Sequence, residues 1–213
     1  MTHFHIVTLF PASMESYTDA SMLGRAQESK KIKISYYNPR DFTKDKHSRV
    51  DRRPYGGGPG MVLEAEAVLM AVDKARGRKK NVKIIFLGAG GKQFTDIYAK
   101  KCVKKYAHVI LIAGHYEGVD ARVRKVLRAE EVSIGPYILT GGEVPALVVV
   151  DVMARFVGGV LGNEASLEDS RAPSSEVYTR PEVLTYKGKK YRVPKVLLSG
   201  HHKNIEEWKK GRK

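Results

Sequence analysis

Short runs of β-branched and other apolar residues alternate along the chain with amphipathic stretches. The runs predict five strands, at residues 3–10, 31–37, 82–87, 108–113 and 131–139. Between them, apolar residues at helical spacing predict helices over residues 64–76, 95–106, 119–127 and 146–160. Strand, helix and strand in this rhythm predict an α/β fold, with a parallel sheet and helices on both faces.

Two stretches interrupt the rhythm. Residues 38–60 are polar, basic and rich in glycine and proline, and such a length without regular structure predicts a functional loop. Residues 162–175 are polar and contain Pro173, and the residues after them hold eleven Lys and Arg against four Asp and Glu. We therefore expect a main domain over residues 1–161, a linker over 162–175 and a small basic appendage over 176–213.

Charge narrows the choice of partners. The 38 Lys and Arg exceed the 23 Asp and Glu by 15, which favours a polyanion such as nucleic acid or an acidic membrane face. The amino terminus lacks the features of a signal peptide and no apolar run approaches the length of a membrane span, so we expect a cytoplasmic protein with no membrane partner. A single cysteine, Cys102, excludes an intramolecular disulfide and is expected to be a buried thiol.

The segment Gly88-Ala-Gly90-Gly91 follows an apolar strand and precedes a helix, as a dinucleotide-binding turn would. The third glycine of that motif would fall on Gln93. A phosphate-binding loop fails as well, because Phe86 stands where its first glycine belongs and Gln93 follows Lys92. The segment therefore predicts a tight turn where a strand ends near a ligand.

Two more glycine-bearing turns end the next two strands. Gly114-His-Tyr-Glu-Gly118 follows the fourth strand, and the fifth ends in Ser133-Ile-Gly-Pro-Tyr-Ile-Leu-Thr-Gly-Gly-Glu-Val-Pro145. Ligands of parallel sheets bind beyond the carboxyl ends of the strands, where glycine lets backbone groups approach closely. Turns lined by backbone suit an adenosine-like ligand, although each glycine alone is equally typical of an ordinary turn.

These turns, in this order, closely resemble the bacterial tRNA (guanine-N1)-methyltransferase family TrmD of the SPOUT superfamily. The resemblance covers nearly the whole chain, and seven blocks carry it in the family order: His5-Ile-Val-Thr-Leu-Phe-Pro11; Arg53-Pro-Tyr-Gly-Gly-Gly-Pro-Gly-Met61; Gly114-His-Tyr-Glu-Gly-Val-Asp120; residues 134–145; Leu161-Gly-Asn-Glu164 with Glu168-Asp-Ser170; Tyr178-Thr-Arg-Pro-Glu-Val183; and Val196-Leu-Leu-Ser-Gly200.

The resemblance implies a deep trefoil knot that holds S-adenosylmethionine among three turns. General topology rules argue against a knot, so only the family suggests one. The positions that match the family's cofactor contacts are Leu87, Gly88, Gly114, Tyr116, Glu117, Ile134, Gly135, Pro136, Tyr137, Ile138, Leu139, Gly141, Gly142 and Pro145. Magnesium is a second cofactor that the family allows, but no carboxylate spacing is typical of a dedicated metal site, so no residue is assigned to a metal.

The implied reaction joins a methyl group to N1 of the guanosine 3′ of the tRNA anticodon, position 37. Neutral guanine carries a proton on N1, so a base must remove it and a cation must stabilise the charge that spreads to O6. Asp169 matches the family's base and Arg155 its cation. Without the resemblance Asp169 is typical of a solvated acid and Arg155 of an interface ion pair, and Glu117 and Glu168 remain rival bases.

The resemblance also implies a homodimer with its active site at the subunit interface, and tRNA as the partner of a reduced C-terminal tRNA-binding domain. Three departures from the family pattern are Gly88-Ala89 in place of a usual Ser-Pro, His115 in place of arginine and Pro136 in place of an acidic residue. They leave two alternatives open: a noncatalytic RNA-binding protein of the same fold, or a SPOUT methyltransferase acting on another RNA site.

Overall fold

The computed structural model describes residues 1–161 and 176–210, and the chain divides into two compact units, Met1–Leu161 and Gly162–Lys213. The strands of the first unit are β1 (Thr2–Val7), β2 (Ile32–Tyr37), β3 (Asp51–Arg52), β4 (Val62–Leu63), β5 (Val82–Gln93), β6 (His108–Ile112) and β7 (Glu130–Ser133). Its α-helices are α1 (Ala12–Thr18), α2 (Ser21–Glu28), α3 (Ala65–Arg76), α4 (Asp96–Lys105), α5 (Ala121–Leu127) and α6 (Glu143–Arg155).

Five strands form one parallel sheet in the order β2-β1-β6-β5-β7. Side chains of a strand alternate between the faces, so Val109 and Leu111 of β6 point to one side while Ile110 and Ile112 point to the other. The first side packs against buried residues of α1, α2, α4 and α6, and the second against α3 and α5. The predicted α/β class, with helices on both faces of a parallel sheet, is confirmed.

The third predicted strand was expected to stop at Leu87 and turn, but β5 continues to Gln93. Leu87 and Lys92 both pair with Val132 of β7, so the four residues between them leave the ladder as a bulge. A Cβ atom on Gly91 would lie 2.5 Å from the backbone N of Val132, so a glycine is needed where the strand returns. The expectation of a terminal tight turn was therefore wrong, since the glycines form an excursion inside a strand.

The last predicted strand and helix also have different limits. β7 ends at Ser133, six residues before the predicted end, because the Ser133 side chain bonds Gly135 N and O and turns the chain. Helix α6 begins at Glu143 and ends at Arg155 instead of spanning residues 146–160. Proline is tolerated in a first helical turn, so Pro145 does not delay the start, and Gly159 has a φ of +79° beyond the end.

The second unit is described from residue 176 to 210. An antiparallel hairpin pairs β8 (Val183–Tyr186) with β9 (Lys189–Arg192), and two helices follow, α7 (Lys195–Leu198) and α8 (His202–Lys210). The turn residues Lys187 and Gly188 have φ values of +48° and +76°, as a two-residue hairpin turn requires. In residues 1–161 and 176–210 we find no helix with the length and apolar character to cross a membrane.

Candidate active site

Three glycine-bearing segments meet at one edge of the sheet. They are residues 86–89, where the excursion leaves the β5 ladder, residues 114–119, which follow β6, and residues 132–142, at and beyond the end of β7. They enclose a pocket of about 410 Å³, a volume typical of small-molecule sites. Thirteen of the predicted cofactor positions line this pocket: Leu87, Gly88, Gly114, Tyr116, Glu117, Ile134, Gly135, Tyr137, Ile138, Leu139, Gly141, Gly142 and Pro145. Pro136 is exposed and does not line it, so its predicted cofactor contact stays a prediction.

The segment after β6 is held by the long glycine-rich loop. Glu117 donates its backbone N–H to the Met61 carbonyl at 3.0 Å, and Leu63 donates to the Gly118 carbonyl at 3.0 Å. Gly60 has a φ of +81°, and a Cβ atom there would collide with the Glu117 side chain, so glycine is needed on both counts. The end of the functional loop predicted over residues 38–60 therefore supports one wall of the pocket.

The segment after β7 closes the pocket against β6. The Gly142 N–H donates to the Gly114 carbonyl at 2.7 Å, and His115 forms an isolated bridge with Gly141. A Cβ atom on Gly142 would lie 2.6 Å from Ala113 Cα and 2.7 Å from Gly114 N, so only glycine permits this approach. The approach brings backbone groups of two loops to one side of the pocket.

A buried polar group at the start of α6 stabilises this contact between the two loops. Glu143 is buried at the start of α6 and accepts a hydrogen bond from Thr8 Oγ1 at 2.7 Å. His115 Nε2 lies 4.0 Å from Glu143 Oε2, and the ring of His115 packs on Phe10 with centroids 4.8 Å apart. Within the described part of the chain, the buried Nδ1 of His115 has no hydrogen-bond partner. His115 therefore contributes to the pocket wall through the rest of its ring, because this nitrogen is not exposed to the cavity.

The charge of the lining separates this pocket from a phosphate site. Among the described residues that line it there is no Lys or Arg, although the chain has an excess of 15 positive charges, and there is one carboxylate, Glu117. A phosphate ligand normally meets cationic side chains, and at the N-terminus of α6, which borders the pocket, the first turn carries the carboxylate of Glu143. The pocket thus suits a ligand with an adenosine-like body and a positive charge.

The two predicted catalytic residues do not both fall within the described chain. Arg155 is the last residue of α6, half-buried, about 15 Å along the helix from Pro145 at the rise of about 1.5 Å per residue. Asp169 and its rival Glu168 lie outside the described residues, so their predicted roles remain predictions. The other rival base, Glu117, is exposed at the pocket wall.

Several residues of the site were not predicted from the sequence. The lining also contains Phe86, Ala89, His115, Gly118, Val119, Val132, Ser133 and Thr140. Most of them adjoin predicted positions, so extending each glycine turn by one or two residues finds them. Thr8 and Glu143 are different, because no local pattern links residues so far apart in the chain.

Magnesium prefers oxygen ligands, and the donors of this chain do not offer a site of that kind in its described part. Within residues 1–161 and 176–210, the one group of three candidate ligands consists of histidines, away from the pocket.

A parallel sheet with helices on both faces and a glycine-lined pocket at one edge defines an α/β protein, and such an edge is where proteins of this class bind small ligands. The model of the family described as tRNA (Guanine-1)-methyltransferase TrmD matches residues 2–213. The chain belongs to this family, and the resemblance noted in the sequence is confirmed.

Curated relatives agree over nearly the whole chain. A tRNA (guanine-N(1)-)-methyltransferase of Pseudoalteromonas atlantica is 44% identical over 211 residues, which are 97% of this chain and 78% of the relative. The protein of the same name from Ruminiclostridium cellulolyticum is 42% identical over 97% of this chain and 88% of its own. That of Carboxydothermus hydrogenoformans is 44% identical over 96% and 80%.

Proposed function

We propose that this protein transfers a methyl group from S-adenosylmethionine to N1 of guanine in tRNA, at the guanosine 3′ of the anticodon, position 37. The observation that carries this proposal is the pocket formed by the three glycine-bearing segments, whose described lining contains no Lys or Arg, together with family membership. The names of the curated relatives support the substrate and the atom. Both alternatives, a noncatalytic RNA-binding protein and a methyltransferase of another RNA site, are outcomes of the test below.

S-adenosylmethionine supplies an electrophilic methyl group on a sulfonium. The backbone groups of residues 114–118 and 134–142 bind and orient the adenosine part, while the Glu117 carboxylate favours a ligand of positive charge. The apolar walls at Leu87 and Ile134 exclude water from the reacting centre. The magnesium ion that the family allows enters no step of this scheme.

Asp169 accepts the N1 proton of guanine, so that a lone pair becomes available at N1. The Arg155 guanidinium donates to O6, where the negative charge develops as the proton leaves. Arg155 makes no ion pair with any described residue, so its charge is available for that oxygen. General base catalysis of this kind contributes about 10²–10⁴ in rate.

We propose a homodimer with two composite sites, in which Arg155 of one subunit serves the pocket of the other. The separation of about 15 Å along α6 between Arg155 and Pro145 supports this, because it places Arg155 away from the cofactor pocket of its own subunit. Val144 and Val148, one helical turn apart on α6, are 55% and 36% exposed and supply an apolar dimer contact.

The trefoil knot is part of the same proposal. β7 lies at the edge of the sheet, beyond β5, yet the chain that follows it returns to β6 through the bond between Gly142 and Gly114. Helix α6 then packs against α1 and α4. We infer that the chain threads a loop on this return, in the way the family implies.

We propose that residues 176–213 form a tRNA-binding domain, joined to residues 1–161 by a linker over 162–175. Tyr186 and Tyr191 on its hairpin are 59% and 53% exposed, and Lys187 lies 5.4 Å from the Tyr186 ring centroid. Exposed rings beside cations suit bases and phosphates of single-stranded RNA. Basic side chains of the loop over residues 40–53 are a second candidate contact.

The test is methyl transfer from labelled S-adenosylmethionine into a tRNA transcript, with the modified base mapped. Asp169→Asn is expected to lose at least about 100-fold in turnover while keeping cofactor affinity, and Glu168→Gln is the matched control that keeps turnover. Label at another base or atom supports the second alternative. An absence of label, with RNA still bound, supports the noncatalytic protein.

Composite sites are tested with a co-expressed heterodimer of Arg155→Ala and Gly142→Ala chains. If Arg155 serves the partner's pocket, one of the two sites is intact and the heterodimer has about half the wild-type activity. If each subunit uses its own Arg155, the heterodimer is as inactive as either homodimer.

A further inference from the structure

Three histidines lie together at the amino ends of β1 and β6, at the opposite end of the sheet from the pocket. His3 and His5 are two residues apart on β1, so their side chains share one face. His108 pairs in register with His3 from the neighbouring strand. Each imidazole offers one ring nitrogen to the cluster, and these three nitrogens lie within 4.8 Å of one another.

The spacing within the cluster suits a tetrahedral metal ion. His5 Nε2 and His108 Nδ1 are 3.3 Å apart. Two imidazole nitrogens bound to zinc at about 2.0–2.1 Å, with a tetrahedral angle between them, are separated by about 3.3–3.4 Å. This hydrogen-bonded pair therefore already has the separation of one tetrahedron edge, and an ion would replace the shared proton. The three nitrogens lie within 4.8 Å of one another, so the separations to the third nitrogen must shorten by at most about 1.5 Å.

The outer nitrogens of two rings already have partners. His5 Nδ1 lies 3.1 Å from the Tyr37 hydroxyl, and His3 Nε2 lies 2.9 Å from Ser35 Oγ. Such a contact from the nitrogen that does not bind metal fixes the tautomer and orientation of a ligating histidine. These contacts leave His5 Nε2 and His3 Nδ1 as the nitrogens available to an ion.

Burial also keeps the imidazoles in the form that binds metal. His5 is fully buried, and desolvation is the largest cause that lowers its pKa to about 3 and the pKa of His3 to about 4. The pKa of His108 is lowered for the same reason. Neutral imidazoles have a free lone pair at neutral pH, whereas the nearby Lys33 and Lys79 oppose a cation and limit its affinity.

We propose that His3, His5 and His108 form a zinc-binding site, with water as the fourth ligand on the half-exposed side of His3 and His108. An all-nitrogen donor set selects zinc over magnesium or calcium, which require oxygen ligands. Six residues of extended chain, about 20 Å, separate His108 from Gly114 at the pocket. The ion therefore cross-links β1 to β6 and takes no part in methyl transfer, so this proposal is independent of the proposed function.

The experiment titrates zinc into the untagged, metal-free full chain in competition with a chromophoric chelator. One equivalent per chain is expected for wild type, and His3→Gln and His108→Gln are each expected to weaken binding at least tenfold. The double variant His201→Gln/His202→Gln, which removes two exposed histidines elsewhere, is the matched control and should bind as wild type does. No competition by wild type, or equal weakening in the control, would overturn the proposal.

X-ray absorption of the wild-type zinc complex gives a second measurement that does not depend on the folding of any variant. Nitrogen and oxygen ligands at about 2.0–2.1 Å with the scattering pattern of three imidazoles are expected. A first shell with fewer than two imidazoles would place the ion elsewhere and refute the site. In the competition titration, calcium and magnesium at the same concentrations as zinc should not bind to the protein, so they should not change the absorbance of the zinc–chelator complex.

Discussion

Replacing Gly142 with alanine tests how closely the pocket depends on the approach of two loops. The added Cβ would lie 2.6 Å from Ala113 Cα and 2.7 Å from Gly114 N, and both are backbone atoms that cannot rotate away. The 2.7 Å bond between Gly142 N and the Gly114 carbonyl must lengthen as well. Overpacking costs about 1–3 kcal/mol and a lost hydrogen bond about 0.5–1.5 kcal/mol, so we expect a loss of about 3 kcal/mol.

For a chain of this length, about 3 kcal/mol lowers the melting temperature by roughly 6–12 °C. Urea denaturation measures the loss of stability, and calorimetric titration with S-adenosylmethionine measures the affinity for the cofactor. We expect this affinity to fall at least tenfold because the pocket wall is displaced. Gly158→Ala is the control: no atom lies within 4 Å of its Cβ position and its φ is ordinary. Wild-type stability and affinity in Gly142→Ala would refute the steric argument.

Three further predictions rest on buried groups. Thr8→Val removes the donor to Glu143 and should cost about 1.5–3 kcal/mol in urea denaturation, whereas the exposed Thr185→Val should change stability little. Burial raises the pKa of Cys102 to about 11, so at pH 8 it should react with a disulfide reagent more than about 100-fold slower than a free thiol does. Burial lowers the pKa of His3 to about 4, so between pH 6.5 and 4 the unfolded chain binds more protons than the folded chain and the free energy of unfolding decreases as the pH falls. His3→Gln should make this decrease shallower in the metal-free protein, by less than the effect of one full proton because His3 is partly exposed, and equal slopes would contradict it.

The sheet was predictable because β6 and the first half of β5 are nearly continuous apolar runs, the pattern of strands buried on both faces, and because short β-branched runs mark the other strands. Helices α1 and α2 were not predicted, since they are short and place only a few side chains, such as Met14 and Leu23, in the core. Their stability comes from packing against the sheet, which a local pattern does not contain. The excursion in β5 was mistaken for a turn for the same reason: its return depends on pairing with Val132.

The glycine segments of the pocket were predictable because a strand end followed by glycine is a local signal. The bond between Thr8 and Glu143 is not local, since 135 residues separate its partners. Each residue belongs to a sequence block that resembles the family, but neither block indicates the contact between them, which only the fold creates. In the cluster of His3, His5 and His108, the first two could be placed on one face of a strand from the sequence, because they are two residues apart. His108 joins them only because β6 lies next to β1 in the sheet.

The hydrogen bond from Glu117 N–H to the Met61 carbonyl joins the two regions to which the proposed function gives different ligands. One side of this bond continues into the arginine-bearing loop, and the other forms a wall of the small-molecule cavity. If both regions bind as proposed and this bond couples them, thermodynamic linkage requires each ligand to change the affinity for the other by the same factor. The affinity for S-adenosylmethionine measured with and without tRNA gives that coupling free energy.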